Sequence, residues 1–214
     1  MRNRFVEQLF ELNREIIAMG AMCEEAIASA VKALTTGDLK LADSVKTNSG
    51  VIDQMERDIE SRCMKLLLHQ QPVARDLRLI SAALKMITDM ERIGDQAEDI
   101  AEIITSLNGH TMEGMELIEE MARETIEMVT ASVDAFVKKD VELAQKVIAQ
   151  DDIVDDYFCR VKCGIISMIT ENHADGEFAL DLLMISKYFE RIGDHATNIA
   201  EWVIYSVTGM HKEV

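Results

Sequence analysis

Glu91 and Asp95 stand four residues apart, and so do Glu190 and Asp194. Each pair brackets the same run, Glu-Arg-Ile-Gly-Asp. On a helix, side chains at i and i+4 lie one turn apart on one face, and like charges there repel. A bound cation removes that repulsion. A set of carboxylate oxygens suits hard cations such as magnesium, calcium, manganese or iron better than a closed thiolate zinc site. Asp151 and Asp155 form a third pair of this kind, and Asp53 matches Asp155 at an offset of 102, although Ser49 stands where the matching acid would be. From the residues alone two readings stay open: a metal site, or carboxylates that only solvate a helix face.

The segment after Glu91 extends the pattern. With Glu91 at zero and about 100° per residue, Asp95 lies near 40°, Glu98 near −20°, Glu102 near 20° and Asp99 near 80°. Ile93, Ala97, Ile100 and Ala101 lie at about 180–280°. The acids therefore form one stripe opposite an apolar stripe, and the expectation is that they face away from the core. In the second copy Glu190, Asp194 and Glu201 keep the line, Thr197 replaces the acid at Glu98, and Asn198 stands at the position of Asp99. Arg92 and Arg191 flank the stripes and can pair with a neighbouring acid. Gly94 and Gly193 occupy one repeated position at the flank of the apolar face. A mid-helix glycine costs on the order of 1 kcal/mol against alanine, so its recurrence predicts a closely approaching helix there. His195 lies about 140° from Glu190 and is assigned to packing or an interhelical hydrogen bond, not to ligation.

These residues need long helices to hold them. Thr36-Gly37-Asp38 reads as a helix end followed by an N-cap aspartate. Pro72 reads as a helix start, Ser106 to Gly114 as the longest linker, Lys139-Asp140 as a second corner without the glycine, and Asn172 to Gly176 as a further break. Helical periodicity between these marks predicts six helices over 5–35, 38–70, 74–106, 114–138, 140–172 and 175–208. The segment 91–102 aligns with 190–201 at an offset of 99, with nine of twelve residues identical. Asp38, Leu41, Ala42, Val45 and Asp53 meet Asp140, Leu143, Ala144, Val147 and Asp155 at an offset of 102. The expectation is an all-α chain of two pseudo-symmetric three-helix bundles, residues 1–108 and 109–214.

Composition agrees and excludes several classes. Of 214 residues, 48% are hydrophobic but only 5% aromatic, and Met outnumbers proline 14 to 1, which fits packed helices better than sheets. The formal net charge of −17 opposes binding to a nucleic-acid backbone and favours cations and basic protein surfaces. It is uneven: 18 acids and 13 bases over residues 1–108, against 21 and 9 over 109–214. No apolar run is long enough to span a bilayer, and the N-terminus carries no signal-peptide pattern. Cys23, Cys63, Cys159 and Cys163 lie in helical patterns and suggest a reduced, cytoplasmic chain; Cys159 and Cys163, four apart on one helix face, read as core thiols rather than ligands of a soft metal. No glutamate stands three residues before any histidine, which argues against ferritin-like metal chemistry, and no nucleophile with its base is evident. The expectation is a protein that is not an enzyme. A metal-storage bundle and a plain interaction scaffold remain as alternatives.

Asp76-Leu77-Arg78-Leu79-Ile80 through Glu91-Arg92-Ile93-Gly94-Asp95, and Phe189-Glu190-Arg191-Ile192-Gly193-Asp194-His195-Ala196-Thr197-Asn198-Ile199-Ala200-Glu201, resemble the paired signature segments of the PhoU family. The resemblance covers nearly the whole chain. It implies a cytoplasmic homodimer that restrains high-affinity phosphate uptake and the phosphate-starvation response. The implied partners are the ATPase subunit of the phosphate ABC transporter and the phosphate-sensing histidine kinase, with membrane contact only through them. It also implies metal, as iron, zinc or magnesium, at the acidic motifs. Candidate ligands are Asp53, Glu91, Asp95 and Asp99 in the first half, and Asp151, Asp155, Glu190, Asp194 and Asn198 in the second. The departure at Ser49 makes the first cluster the weaker expectation. Arg92, Arg191, Glu98, Glu102 and Glu201 would complete the docking face. Phosphate joining an open position on the cation would link ligand to signal.

Overall fold

A computed structural model describes residues 2–70, 72–110, 116–172 and 176–210. Within them the chain forms six helices: α1 Arg2–Thr36, α2 Leu39–Gln70, α3 Ala74–Ser106, α4 Glu116–Lys138, α5 Val141–Asn172 and α6 Gly176–Thr208. Every end described lies within three residues of the expected one. Gln71, Gly114 and residues 173–175, parts of the expected breaks, lie outside the described residues.

The corners follow from local chemistry. Gly37 has φ of 68°, the left-handed conformation that ends a helix at least cost to glycine. Asp38 then caps α2, its Oδ1 accepting from the amides of Lys40 at 3.0 Å and Leu41 at 3.2 Å. In the second half Lys139 takes the same conformation, with φ of 56°, and Asp140 caps α5 through the amide of Leu143 at 3.0 Å. Pro72 stands just ahead of α3, whose first residue is the one expected. It precedes an extended N-cap, Val73, and the helix begins at Ala74.

The architecture is two three-helix bundles related by the internal repeat, α1–α3 and α4–α6. Within the first, α3 packs on α1 and α2, and within the second α6 packs on α4 and α5. The bundles meet through α3 against α6 and α1 against α4. Buried apolar residues of all six helices form one continuous core. The repeated glycines sit where a neighbour approaches. A Cβ on Gly94 would come within 3.1 Å of Ile52 in α2, and one on Gly193 within 3.3 Å of Asp151 in α5.

Cys23 and Cys63 are the core thiols, and burial pushes their pKa up to about 12. Cys159 and Cys163 are exposed, which corrects the expectation of core thiols there. The apolar face of α5 is carried by Val147, Val154, Val161 and Ile165, and the two cysteines lie about 140–180° from Val154. No helix among the described residues is long and apolar enough to cross a membrane.

Candidate metal centres and docking face

Helix α3 carries Glu91 and Asp95 on the flank that faces α2, and α2 supplies Asp53 from across the groove. One ligand oxygen from each of Asp53, Glu91 and Asp95 lies within 4.8 Å of the others. All three residues are half-buried. They are thus neither in the core nor on an open face. The helical wheel puts the stripe opposite the apolar face of α3 alone, but α2 lies alongside and covers part of it.

The electrostatics of this trio are unfavourable. Burial, and then the charge of Asp95, raise the pKa of Glu91 above the usual carboxylate range. Burial, and then Asp53, raise Asp95. Asp53 Oδ1 is buried with no hydrogen-bond partner among the described residues. A buried acceptor left unpaired costs roughly 1–3 kcal/mol, and more when charged. Three converging oxygens, one of them orphaned, fit a hard divalent cation. Glu56, one turn along α2, adds to the negative field at Glu91, a contribution the sequence reading missed although Asp53 and Glu56 share i,i+3 spacing.

The second cluster uses the matching positions, adds Asp151 where the first half has Ser49, and is solved differently. Asp151 and Asp155 of α5 face Glu190 and Asp194 of α6. Burial pushes Asp151 up to about 6, helped by the charges of Asp194, Asp155 and Glu190 and opposed by the Thr197 hydroxyl. Burial and Glu190 raise Asp194, while Lys187 lowers it. The Lys187 ammonium also forms an ion pair with Glu190. Asp155 and Asp194 are exposed, and Asp151 and Glu190 are half-buried. Among the described residues only the first trio closes its ligand atoms within 4.8 Å. The tighter geometry is therefore in the half expected from sequence to be weaker.

Two expected ligands are turned elsewhere. Asp99 faces α6, where the Tyr188 hydroxyl hydrogen-bonds to it and the Arg191 charge lies nearby. Asn198 faces α3, its Nδ2 donating to Asp89 Oδ1 at 3.2 Å. His195 Nδ1 reaches the same Asp89 oxygen at 3.0 Å, the interhelical role expected of it. Asp89 pairs with Tyr188, and Asp99 with Asn198, under the offset of 99 that relates α3 to α6. The two contacts are thus pseudo-symmetric copies of one polar seam between the bundles. The sequence reading missed Asp89, Tyr188 and Lys187.

The remaining docking residues surround these features. Arg92 is exposed and lies 3.5 Å from Glu91. Arg191 and Glu102 are exposed, and Glu98 and Glu201 half-buried.

The PhoU domain profile matches residues 16–104 and again 118–203. The phosphate-specific transport system accessory protein PhoU homolog of Clostridium acetobutylicum is 36% identical over 215 residues, covering 100% of this chain and 98% of that protein. The crystal structure of PhoU from Pseudomonas aeruginosa superimposes with a TM-score of 0.90 at 35% identity, over 96% of this chain and 100% of that one. The phosphate transport system regulatory protein PhoU from Streptococcus pneumoniae also gives a TM-score of 0.90, at 25% identity, over 98% of this chain and 100% of that one. With both halves matched and full-length relatives above one-third identity, the chain belongs to the PhoU family.

Proposed function

We infer that this protein is a negative regulator of phosphate uptake and of the phosphate-starvation response. It acts by contact with the ATPase subunit of the phosphate ABC transporter and with the phosphate-sensing histidine kinase. The observation that carries this reading is the match of both halves to the PhoU domain, in a chain whose full-length relatives are named for phosphate-specific transport. The chain works as a cytoplasmic homodimer, with one PhoU unit over residues 1–108 and the other over 109–214.

The acidic clusters supply the contact surface. Asp53, Glu91 and Asp95 would hold a cation in the first unit, and Asp151, Asp155, Glu190 and Asp194 in the second. A bound iron, zinc or magnesium ion would neutralise the crowded carboxylates and hold neighbouring helices at a fixed spacing. Around it, Glu98, Glu102 and Glu201 present negative charge to a basic partner surface, and Arg92 and Arg191 limit which acids remain available. The strong net negative charge speeds encounter with such partners.

The test is capture of the transporter ATPase by the full chain, wild type against Glu91→Ala with Asp95→Ala and against Glu190→Ala with Asp194→Ala, alongside metal analysis of each. Loss of both metal and capture is expected. Unchanged capture after loss of both clusters overturns the docking role and leaves a plain scaffold.

A further inference from the structure

The two ends of the molecule should be equivalent under the internal repeat, and among the described residues they differ. At one end, the His110 ring packs on Phe178 with centroids 5.7 Å apart, and a Cβ on Gly109 would come within 3.4 Å of the Gly37 carbonyl oxygen. Among the described residues, rings and closely approaching backbone meet at that corner. At the other end, Leu79 stands for Phe178, Gly209 for His110, and Lys139 for Gly37. A pocket of about 100 Å³ lies there, lined by Leu9, Leu79, Val207 and the buried Ser206, together with Arg75, Asp76 and Lys139.

The charge at this pocket is unusual for so acidic a chain. No ion pair to Arg75 or Lys139 is found among the described residues. A third cation stands at the same end: Gly209 lies over the Arg78 guanidinium, 3.5 Å from where a Cβ would sit, and Arg78 Nε is buried with no hydrogen-bond partner among the described residues. Lys139 holds a left-handed backbone, φ 56°, at a position where the other half uses glycine. A side chain kept in that conformation costs about 1 kcal/mol, which a corner with no use for the ammonium would shed by taking glycine.

We propose that the pocket between Arg75 and Lys139 is a binding site for inorganic phosphate, with Asp76 accepting the hydrogen bond of the anion's own hydroxyl. Two cationic side chains supply charge-assisted donors, which are the stronger class of hydrogen bond to such oxygens. The carboxylate opposite them sets the selection. Phosphate near neutral pH still carries a proton to donate, whereas sulfate carries none and meets Asp76 as a bare anion. The site is separate from both acidic clusters, so it needs no metal. It rests on the regulatory reading only in supplying the place where the regulator senses phosphate.

The experiment is calorimetric titration of inorganic phosphate, and separately of sulfate, into the metal-stripped full chain at about 0.15 M salt. Saturable phosphate binding is expected, with sulfate weaker by about tenfold or more. Lys139→Gly and Arg75→Ala should each weaken phosphate by about tenfold, and Asp76→Asn should close the gap between the two anions. Lys139→Gly removes backbone strain, so its melting temperature should hold or rise, which separates loss of the site from loss of fold. Absence of phosphate binding, binding unaltered by both Lys139→Gly and Arg75→Ala, sulfate bound as well as phosphate, or binding that appears only on metal loading would each overturn the proposal. ATPase capture by the same Lys139→Gly protein reports on the regulatory reading separately. Capture retained while phosphate is lost assigns the anion to this pocket, and capture absent even from wild type removes the regulatory reading alone.

Discussion

The two acidic clusters occupy equivalent positions in the two bundles, and they handle the same repulsion by opposite means. The second cluster carries its own cation: Lys187 pairs with Glu190 and lowers Asp194. The first has Thr88 at the position of Lys187, and there the trio closes to 4.8 Å with an orphaned Asp53 oxygen. A duplicated backbone fixes where the carboxylates stand. The second cluster adds Asp151 where the first has Ser49 and balances its charge with Lys187, whereas the first has Thr88 in place of that lysine and the exposed Arg92 beside Glu91.

The largest expected effect follows from that difference. Glu91→Gln with Asp95→Asn removes two of the three negative charges of the tighter site, so the first metal equivalent should be lost, with affinity falling by at least about 100-fold in metal titration. Retained stoichiometry would erase the contrast between the clusters. Next, Lys187→Met should make the second cluster behave like the first. Its cation affinity should rise about tenfold, because an ammonium competing for the same carboxylates is gone. No change would mean that Lys187 does not substitute for a metal.

The third prediction concerns pH in the metal-free protein. Asp151 is raised from 3.8 to about 6 in the folded chain, so its contribution is most favourable below the lower value and is lost as pH rises through the upper one. Asp151→Asn should therefore be more stable than wild type above about pH 7, by about 1 kcal/mol after allowance for solvent screening of a partly exposed group, and the margin should close near pH 4. Paired melting curves at the two pH values check this. The smallest effect is steric. Gly94→Ala drives a Cβ to 3.1 Å from Ile52, whereas Gly193→Ala meets the Asp151 side chain at 3.3 Å. Overpacking outweighs the gain in helix propensity at the first site, for a net loss of about 1 kcal/mol, and roughly cancels it at the second. Equal melting temperatures for the two variants would show that the flanks are packed alike.

The helices were legible because their ends are marked chemically, by Gly37, Asp38 and Asp140, and because the repeat confirms each half by the other. The pairing of Glu91 with Asp95 was legible from spacing on a single helix. What escaped needed knowledge of the neighbouring helix. Asp99 lies on the same wheel as Glu91, but its direction is set by Tyr188 and Arg191 of α6, and Asn198 is set by Asp89 of α3. Sequence gives the angle of a side chain on its own helix and not which helix covers that angle. The exposed Cys159 and Cys163 are a different failure, since their angle from Val154 was available and points outward.

The seam between the bundles joins like to like, α3 on α6 and α1 on α4, across one unbroken core. Surfaces that pair with their own counterparts are the geometry by which two identical subunits associate. An ancestral half could have hidden those surfaces only by finding a twin. The present chain carries that twin on the same polypeptide, so Thr88 and Lys187, or Gly37 and Lys139, need not be the same residue on both sides.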